Sequence, residues 1–172
     1  LVSVSACGSL KDAYAPGHFV LVDQFIDRSF AREKSFFGPG MVAHVSMADP
    51  VSPVLLDALG AAAQVENIEF TKRGTYLVME GPQFSTRAES LMYRRWGADI
   101  IGMTGMREAK LAREAEMCYA SVAMVTDYDC WHPDHDAVTV TDIIKVLMAN
   151  AEKGARLIAR LDLEETGPDR FA

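Results

Sequence analysis

The stretch "VTDYDCWHPDHD", Val125 to Asp136, follows the apolar run "CYASVAMV" and sets Asp127, Asp129, Asp134 and Asp136 among Cys130, Trp131, His132 and His135. Three kinds of chemistry fit this set. Cys130, His132 and His135 are zinc-type ligands at short spacing, since thiolate and imidazole are the usual donors to that metal. Their spacing matches no common zinc pattern, however, and no fourth ligand is evident. A plain acidic turn that caps a strand is the second reading. The third is a ligand site. Asp127 and Asp129 alternate around Tyr128, so in extended backbone both carboxylates face one side. Two carboxylates in one crevice, beside Trp131 and methionines, divide labour: desolvation and mutual repulsion raise one pKa toward that of a general acid, while the other stays ionised as an acceptor.

Other stretches offer hydroxyls and close backbone approach. "EGPQFSTRAES" carries Phe84 and Ser85 into a helix start, where free N–H groups can meet an anion or the polar edge of a ligand. The same stretch serves equally as a strand–turn–helix joint with Phe84 in the core. "GMTGM" places Thr104 between glycines, and "SACG" places Ser5 and Ala6 before Gly8. Hydroxyls beside flexible backbone suit a phosphate, although ordinary turns use them too. His44, before "SMADP", reads on local grounds as a satisfied histidine and no ligand.

These residues need elements to hold them. Strand-like runs fall at Leu1–Ala6, Phe19–Asp27, Met41–Ser46, Ile68–Thr71, Thr75–Glu80, Asp99–Met103 and Cys118–Thr126. Helices are expected over Pro53–Gln64, with Ser52 as N-cap and proline in the first turn, and over Arg87–Trp96, where Thr86 and Glu89 have capping-box spacing and Gly97 marks the stop. Two further helices are expected near Arg107–Glu116 and Thr141–Leu161, the latter with Ile143, Ile144, Leu147, Ala151, Leu157, Ile158 and Leu161 on one side. The Arg107–Glu116 helix joins two strands at the length of a right-handed parallel crossover. Several strand runs are apolar without alternation, as strands covered on both faces are. The expected architecture is a three-layer α/β domain with a mixed β-sheet flanked by helices. Ligands of such sheets gather beyond strand carboxyl ends, here Gly102–Gly105 and Thr126–Trp131.

With 172 residues, about half of them apolar, the chain suits a single domain over 1–172, with about 162–172 as a tail. Twenty-four acids against seventeen bases give a net charge of −7 without any basic run, which argues against nucleic acid. No apolar run approaches a membrane span, and no basic-then-apolar leader is present. Cys7, Cys118 and Cys130 are an odd number, two of them in or beside apolar runs, which favours a reduced, cytoplasmic protein over a secreted one. The opening "LVSVSACGSL" begins inside a strand pattern, so an N-terminal part is expected to be missing.

Taken in order, "SACGSL", "DQFIDR", "VAHVSMADP", "EGPQFSTRAES", "WGADIIGMT" and "YASVAMVTDYDCW" closely resemble the methylthioadenosine phosphorylases of the purine nucleoside phosphorylase superfamily, from Leu1 to about Leu161. The resemblance implies a homotrimer of phosphorylase fold that cleaves 5′-methylthioadenosine with phosphate, giving adenine and 5-methylthioribose 1-phosphate. It implies no metal and no organic cofactor, phosphate being a co-substrate. On the matching positions, Asp127 protonates or hydrogen-bonds purine N7 and Asp129 engages the 6-amino group. Ser5, Ala6 and Thr104 hold phosphate, Met103 lies along the ribose, and Phe84 packs against the sugar. Ser85 and Val140 tune specificity, with Val140, Ile143 and Ile144 near the methylthio pocket. His44 reaches a neighbour's site across the trimer interface, which reverses the local reading of that histidine. The family's Gly-rich phosphate loop and Arg-His pair lie upstream of where this sequence begins. The chain by itself is therefore expected to hold part of the phosphate site and to be inactive alone.

Two rivals follow. A phosphorylase for methylthioinosine or 6-oxopurine nucleosides shares the fold, but such purines carry a hydrogen on N1 and an O6 acceptor, which a carboxylate at 129 suits less well than an amino group. A non-catalytic nucleoside-binding fragment is the rival of another class.

Overall fold

A computed structural model describes residues 1–133 and 140–161, with Val140 given by its backbone alone. Among these residues seven strands form one mixed sheet: β1 (Val2–Ser9), β2 (Phe19–Val22), β3 (Gln24–Arg28), β4 (Phe70–Lys72), β5 (Thr75–Met79), β6 (Ile100–Gly102) and β7 (Ala120–Asp127), in the order β3-β5-β6-β1-β7-β2-β4. Four helices accompany them: α1 (Pro53–Val65), α2 (Arg87–Arg95), α3 (Met106–Glu114) and α4 (Val140–Ala159). The expected α/β class with a mixed sheet holds.

Local chemistry accounts for the helix ends. Ser52 Oγ accepts from the Leu55 N–H at 3.4 Å with proline opening α1, and Thr86 and Glu89 form a reciprocal capping box at α2. Gly97, at φ 84°, follows α2, where a side chain would be strained.

Both faces of the central strands are covered. Along β2, Phe19 and Leu21 join a cluster with Leu55 and Leu59 of α1, Ala109 of α3 and Leu157 of α4, whereas Val20 and Val22 pack with Tyr76, Val78 and Val125. Side chains that alternate along a strand thus feed opposite cores, which is why β2 shows no polar alternation. Val20 of β2 and Val78 of β5 share one core cluster although their strands stand far apart in the sheet order, so the sheet curls.

The curl corrects the single strand expected over Phe19–Asp27. Only Asp23 separates β2, which pairs with β7 and β4, from β3, which pairs with β5 at the opposite edge. The parallel neighbour bends at the same level, with Arg73 and Gly74 between β4 and β5 and the Asp23 N–H bonded to the Gly74 carbonyl. A Cβ at Gly74 would lie 2.6 Å from Val20 Cγ1, so glycine lets the two chains turn this corner together.

Three other expectations are corrected. The β6–α3–β7 unit is no parallel crossover: β1 lies between the two strands, antiparallel to β6 and parallel to β7. Met41–Ser46 forms no strand; no neighbour pairs with it, and Met41 and Val42 stand exposed. Of the stripe expected on α4, Leu157 is buried and Ile143, Leu147 and Leu161 are half-buried, but Ile144, Ala151 and Ile158 stand exposed, and Asn150 and Gly154 complete the buried line. Asn150 donates to the Val125 carbonyl at 2.9 Å, and a Cβ at Gly154 would come within 3.2 Å of Met124 Sδ, so α4 docks on β7 by close approach.

Ion pairs tie both sheet edges to helices, Lys110 of α3 on Asp27 of β3 and Lys72 of β4 on Asp57 of α1. Burial alone raises the Asp27 carboxyl, but hydrogen bonds from Lys110 and from the hydroxyl and backbone of Ser29 outweigh it and leave the folded pKa below the ordinary value. This contribution to stability is complete above about pH 4 and is lost as pH falls through the folded pKa. Thermal melts from about pH 5 down to about pH 2 should therefore show a shallower loss of Tm for Asp27→Asn than for the parent. Parallel curves would remove Asp27 from the acid response.

Candidate active site

β1 and β6 pair at only two positions, Gly8 with Ile101 and Ser9 with Ile100, and beyond these the strands part. The opening is a cleft of about 340 Å³. One wall is Ser5, Ala6, Cys7 and Gly8 of β1, the facing wall is Gly102, Met103 and Thr104 at the end of β6, and Asp127 and Asp129 close one end. Ser5 to Gly8 therefore act from inside β1, which runs on to Ser9, and not from a strand end as the sequence implied. Both expected strand ends, after β6 and after β7, do open here.

The two carboxylates are placed by a bulge. Cys7 pairs with Val125 and Gly8 with Asp127, leaving Thr126 as the extra residue of β7. Bulges re-aim side chains at the ends of pairing. The Thr126 hydroxyl lies 3.2 Å from the Cys7 carbonyl oxygen and 2.7 Å from Asp127 Oδ2, which fixes the carboxylate plane. A Cβ at Gly8 would approach Asp127 Oδ1 to 3.3 Å and the Asp129 Cβ to 3.4 Å, so glycine there leaves room for both acids at one end of the cleft. Asp129 is 8% exposed and accepts from Ser90 Oγ of α2 at 2.5 Å.

The Trp131 environment expected for the acids is corrected. Its ring packs against the core cluster that includes Leu10 and Tyr93, under the Arg94 guanidinium, and its N–H donates to the Ser9 carbonyl at 2.7 Å, outside the cleft lining. The apolar lining comes instead from Met79, Phe84, Ile101 and Met103. Arg32 ties the strand ends behind it, donating to the carbonyls of Met79, Glu80 and Met103. Cys7 is an inert neighbour: burial, with the charge of Asp127 adding, pushes its thiol well up, so it presents no thiolate.

Comparison with known proteins gives these walls a family, because residues 1–161 match the sequence profile of the Phosphorylase superfamily. The chain belongs to that superfamily, on its methylthioadenosine phosphorylase branch. It is 66% identical over 161 residues to an S-methyl-5′-thioadenosine phosphorylase of Bradyrhizobium diazoefficiens, covering 94% of this chain and 55% of that protein. With the enzyme of the same name from Cereibacter sphaeroides the identity is 62%, covering 94% and 56%. The crystal structure of a methylthioadenosine phosphorylase from an antarctic soil metagenomic library superposes with a TM-score of 0.89 at 51% identity, over 93% of this chain and 57% of that one. The Schistosoma mansoni methylthioadenosine phosphorylase in complex with adenine gives 0.88 at 30% identity, over 96% and 68%. The chain thus spans little more than half the length of the curated relatives it matches.

In this chain the cleft gathers Asp127, Asp129, Met103, Phe84, Ser5, Ala6 and Thr104. Ser85 lines an adjoining groove, its carbonyl accepting from the Cys130 thiol at 3.4 Å. His44, in the exposed segment after β3, lines no part of the cleft, nor do Ile143 and the half-exposed Ile144 at the start of α4. The Val140 side chain, His135, Asp134, Asp136 and the tail 162–172 lie outside the described residues. Among the described residues no group of three His, Cys, Asp or Glu side chains could hold a metal, and His132 stacks on Tyr128 at 4.4 Å. No helix among them is long and apolar enough to cross a membrane.

The roles of Ser90 and Thr126 in holding the two acids are not read from the sequence. Ser90 carried a signal, since it shares the inward face of α2 with Tyr93 three residues on, where a serine needs a buried partner. Ser90→Ala leaves a buried carboxylate oxygen without its donor and is expected to lower unfolding free energy by about 1–3 kcal/mol in denaturant melts. A loss within error would show that Asp129 has another donor.

Proposed function

We propose that the protein containing this chain is a 5′-methylthioadenosine phosphorylase, and that this chain supplies its purine-binding acids and part of its phosphate site. The supporting observation is the pair Asp127 and Asp129, both close to the side-chain position left open at Gly8, at one end of a cleft whose walls carry Ser5, Ala6 and Thr104. One wall suits an electron-rich leaving group and the others an anion.

The reaction follows from that polarity. As the C1′–N9 bond breaks, its electron pair stays on the purine, and Asp127 delivers a proton or hydrogen bond at N7, as a general acid does. The sugar becomes oxocarbenium-like, and a phosphate oxygen held by Ser5, Thr104 and the Ala6 backbone forms the new bond to C1′. Asp129, with one oxygen occupied by Ser90, offers the other to the 6-amino group. Met103 and Phe84 cover the ribose and Ser85 borders the purine end, while Val140, Ile143 and Ile144, which the family resemblance assigns to the methylthio end, belong to α4, Ile143 and Ile144 outside the cleft lining. No metal or organic cofactor takes part. The working form is a homotrimer in the cytoplasm, in which His44 reaches the 5′ end of a neighbour's nucleoside. Residues 1–161 act as one unit, with 162–172 as a tail.

Initial rates of phosphorolysis with methylthioadenosine, methylthioinosine and inosine test this reading. Methylthioadenosine should be preferred clearly. A preference for either inosine compound would make the protein a 6-oxopurine phosphorylase, and binding without turnover in the complete protein would leave only a nucleoside-binding role.

A further inference from the structure

Tyr76 of β5 is completely buried, packed among Val20, Val78 and Ile100 with its ring 5.8 Å from that of Phe25. Its hydroxyl reaches the back of the cleft wall without entering the cleft, 3.3 Å from Thr104 Oγ1. Gly102 makes this possible: a Cβ there would lie 2.1 Å from the Tyr76 hydroxyl oxygen and 3.0 Å from Cζ, so any side chain at 102 would displace the phenol. Two residues of the fold, one aromatic and one absent side chain, are thus committed to bringing a single hydroxyl behind Thr104. A buried tyrosine hydroxyl needs a partner, because an unmade hydrogen bond costs more than a made one contributes. Ser5 is the other hydroxyl acting on Tyr76, but its oxygen is buried without a hydrogen bond of normal geometry.

We propose that Tyr76 is a positioning residue of the phosphate site, its hydroxyl donating to Thr104 Oγ1 so that the Thr104 proton is turned into the cleft toward a phosphate oxygen. A threonine hydroxyl has one proton and two acceptor sites. Once Tyr76 occupies an acceptor site, the proton has no inward partner and serves the anion. Burial raises the Tyr76 pKa, so the phenol remains a donor at neutral pH. Thr104 itself is exposed at the head of the loop before α3, where an unsupported hydroxyl would rotate freely.

The inference rests on Thr104 as a phosphate ligand, and the test separates the two. With the complete active protein, KM for phosphate and KM for methylthioadenosine are measured for Tyr76→Phe, Thr104→Val and the double variant. Tyr76→Phe keeps the buried ring and is expected to raise the phosphate KM about threefold to tenfold, the worth of one net hydrogen bond, with the nucleoside KM within about twofold. In the Thr104→Val background it should have no further effect on phosphate. Gly102→Ala, which displaces the phenol, should reproduce the phosphate defect. An unchanged phosphate KM in Tyr76→Phe, or an equal effect with and without Thr104, overturns the proposal. If Thr104→Val itself leaves the phosphate KM unchanged, the assignment of Thr104 fails first and this proposal with it. A purely structural Tyr76 would lower Tm and leave the phosphate KM in place.

Discussion

Asp127→Asn is expected to lower kcat for methylthioadenosine by about 10²–10⁴-fold while changing nucleoside binding little, the pattern of a lost general acid. The substitution is close to isosteric, and the Thr126 hydroxyl, 2.7 Å from Asp127 Oδ2 in the parent, still has an acceptor in the amide oxygen. In the proposed mechanism, what disappears is the proton delivered as the purine leaves. Pre-steady-state phosphorolysis separates this step from product release, and an unchanged chemical step would take Asp127 out of the acid role.

The second large effect concerns which purine is accepted. Asp129 is almost wholly buried and has one oxygen committed to Ser90, so the other is an acceptor with a fixed direction. A site built to accept from an amino group leaves a lone pair facing a lone pair when the substrate carries O6. Asp129→Asn can turn an N–H2 toward O6, and the ratio of kcat/KM for methylthioadenosine to that for methylthioinosine should fall by about 10²-fold or more. Competition between the two substrates in one reaction measures this ratio directly. A ratio that stays put would mean that the 6-position is read elsewhere.

The parts of this molecule that were legible in the sequence are those whose causes are local. The Thr86/Glu89 capping box, Ser52 before Pro53 and the turn chemistry after β6 and β7 each act within a few residues, and the structure keeps them. The alternation of Asp127 and Asp129 likewise put both acids at one opening, although a bulge at Thr126, invisible in spacing, is what aims them. Strand order was not legible, because nothing in β6, α3 or β7 announces that β1 will insert between them in the opposite sense to β6. Nor was the bend at Asp23: apolar residues resume at Phe25 after Asp23 and Gln24, as along one strand, and the corner shows only in the Asp23 bond to Gly74 and the lack of room for a side chain at Gly74 beside Val20. Met41–Ser46 had strand-like composition but found no neighbour to bond with, and strand propensity expresses packing more than backbone preference. Tyr76 escaped notice for the converse reason, since an aromatic inside a buried strand reads as core, and only the vacancy of a side chain at Gly102 reveals where its hydroxyl goes.

The central claim is that one end of the cleft activates a purine while its walls hold phosphate as the nucleophile. Following methylthioadenosine turnover by the complete protein with ³¹P NMR tests it most directly. The account predicts that adenine appears only when phosphate is present, together with an equal amount of a sugar 1-phosphate. Adenine released without phosphate, with free methylthioribose as the other product, would contradict it and make the cleft the site of a hydrolase.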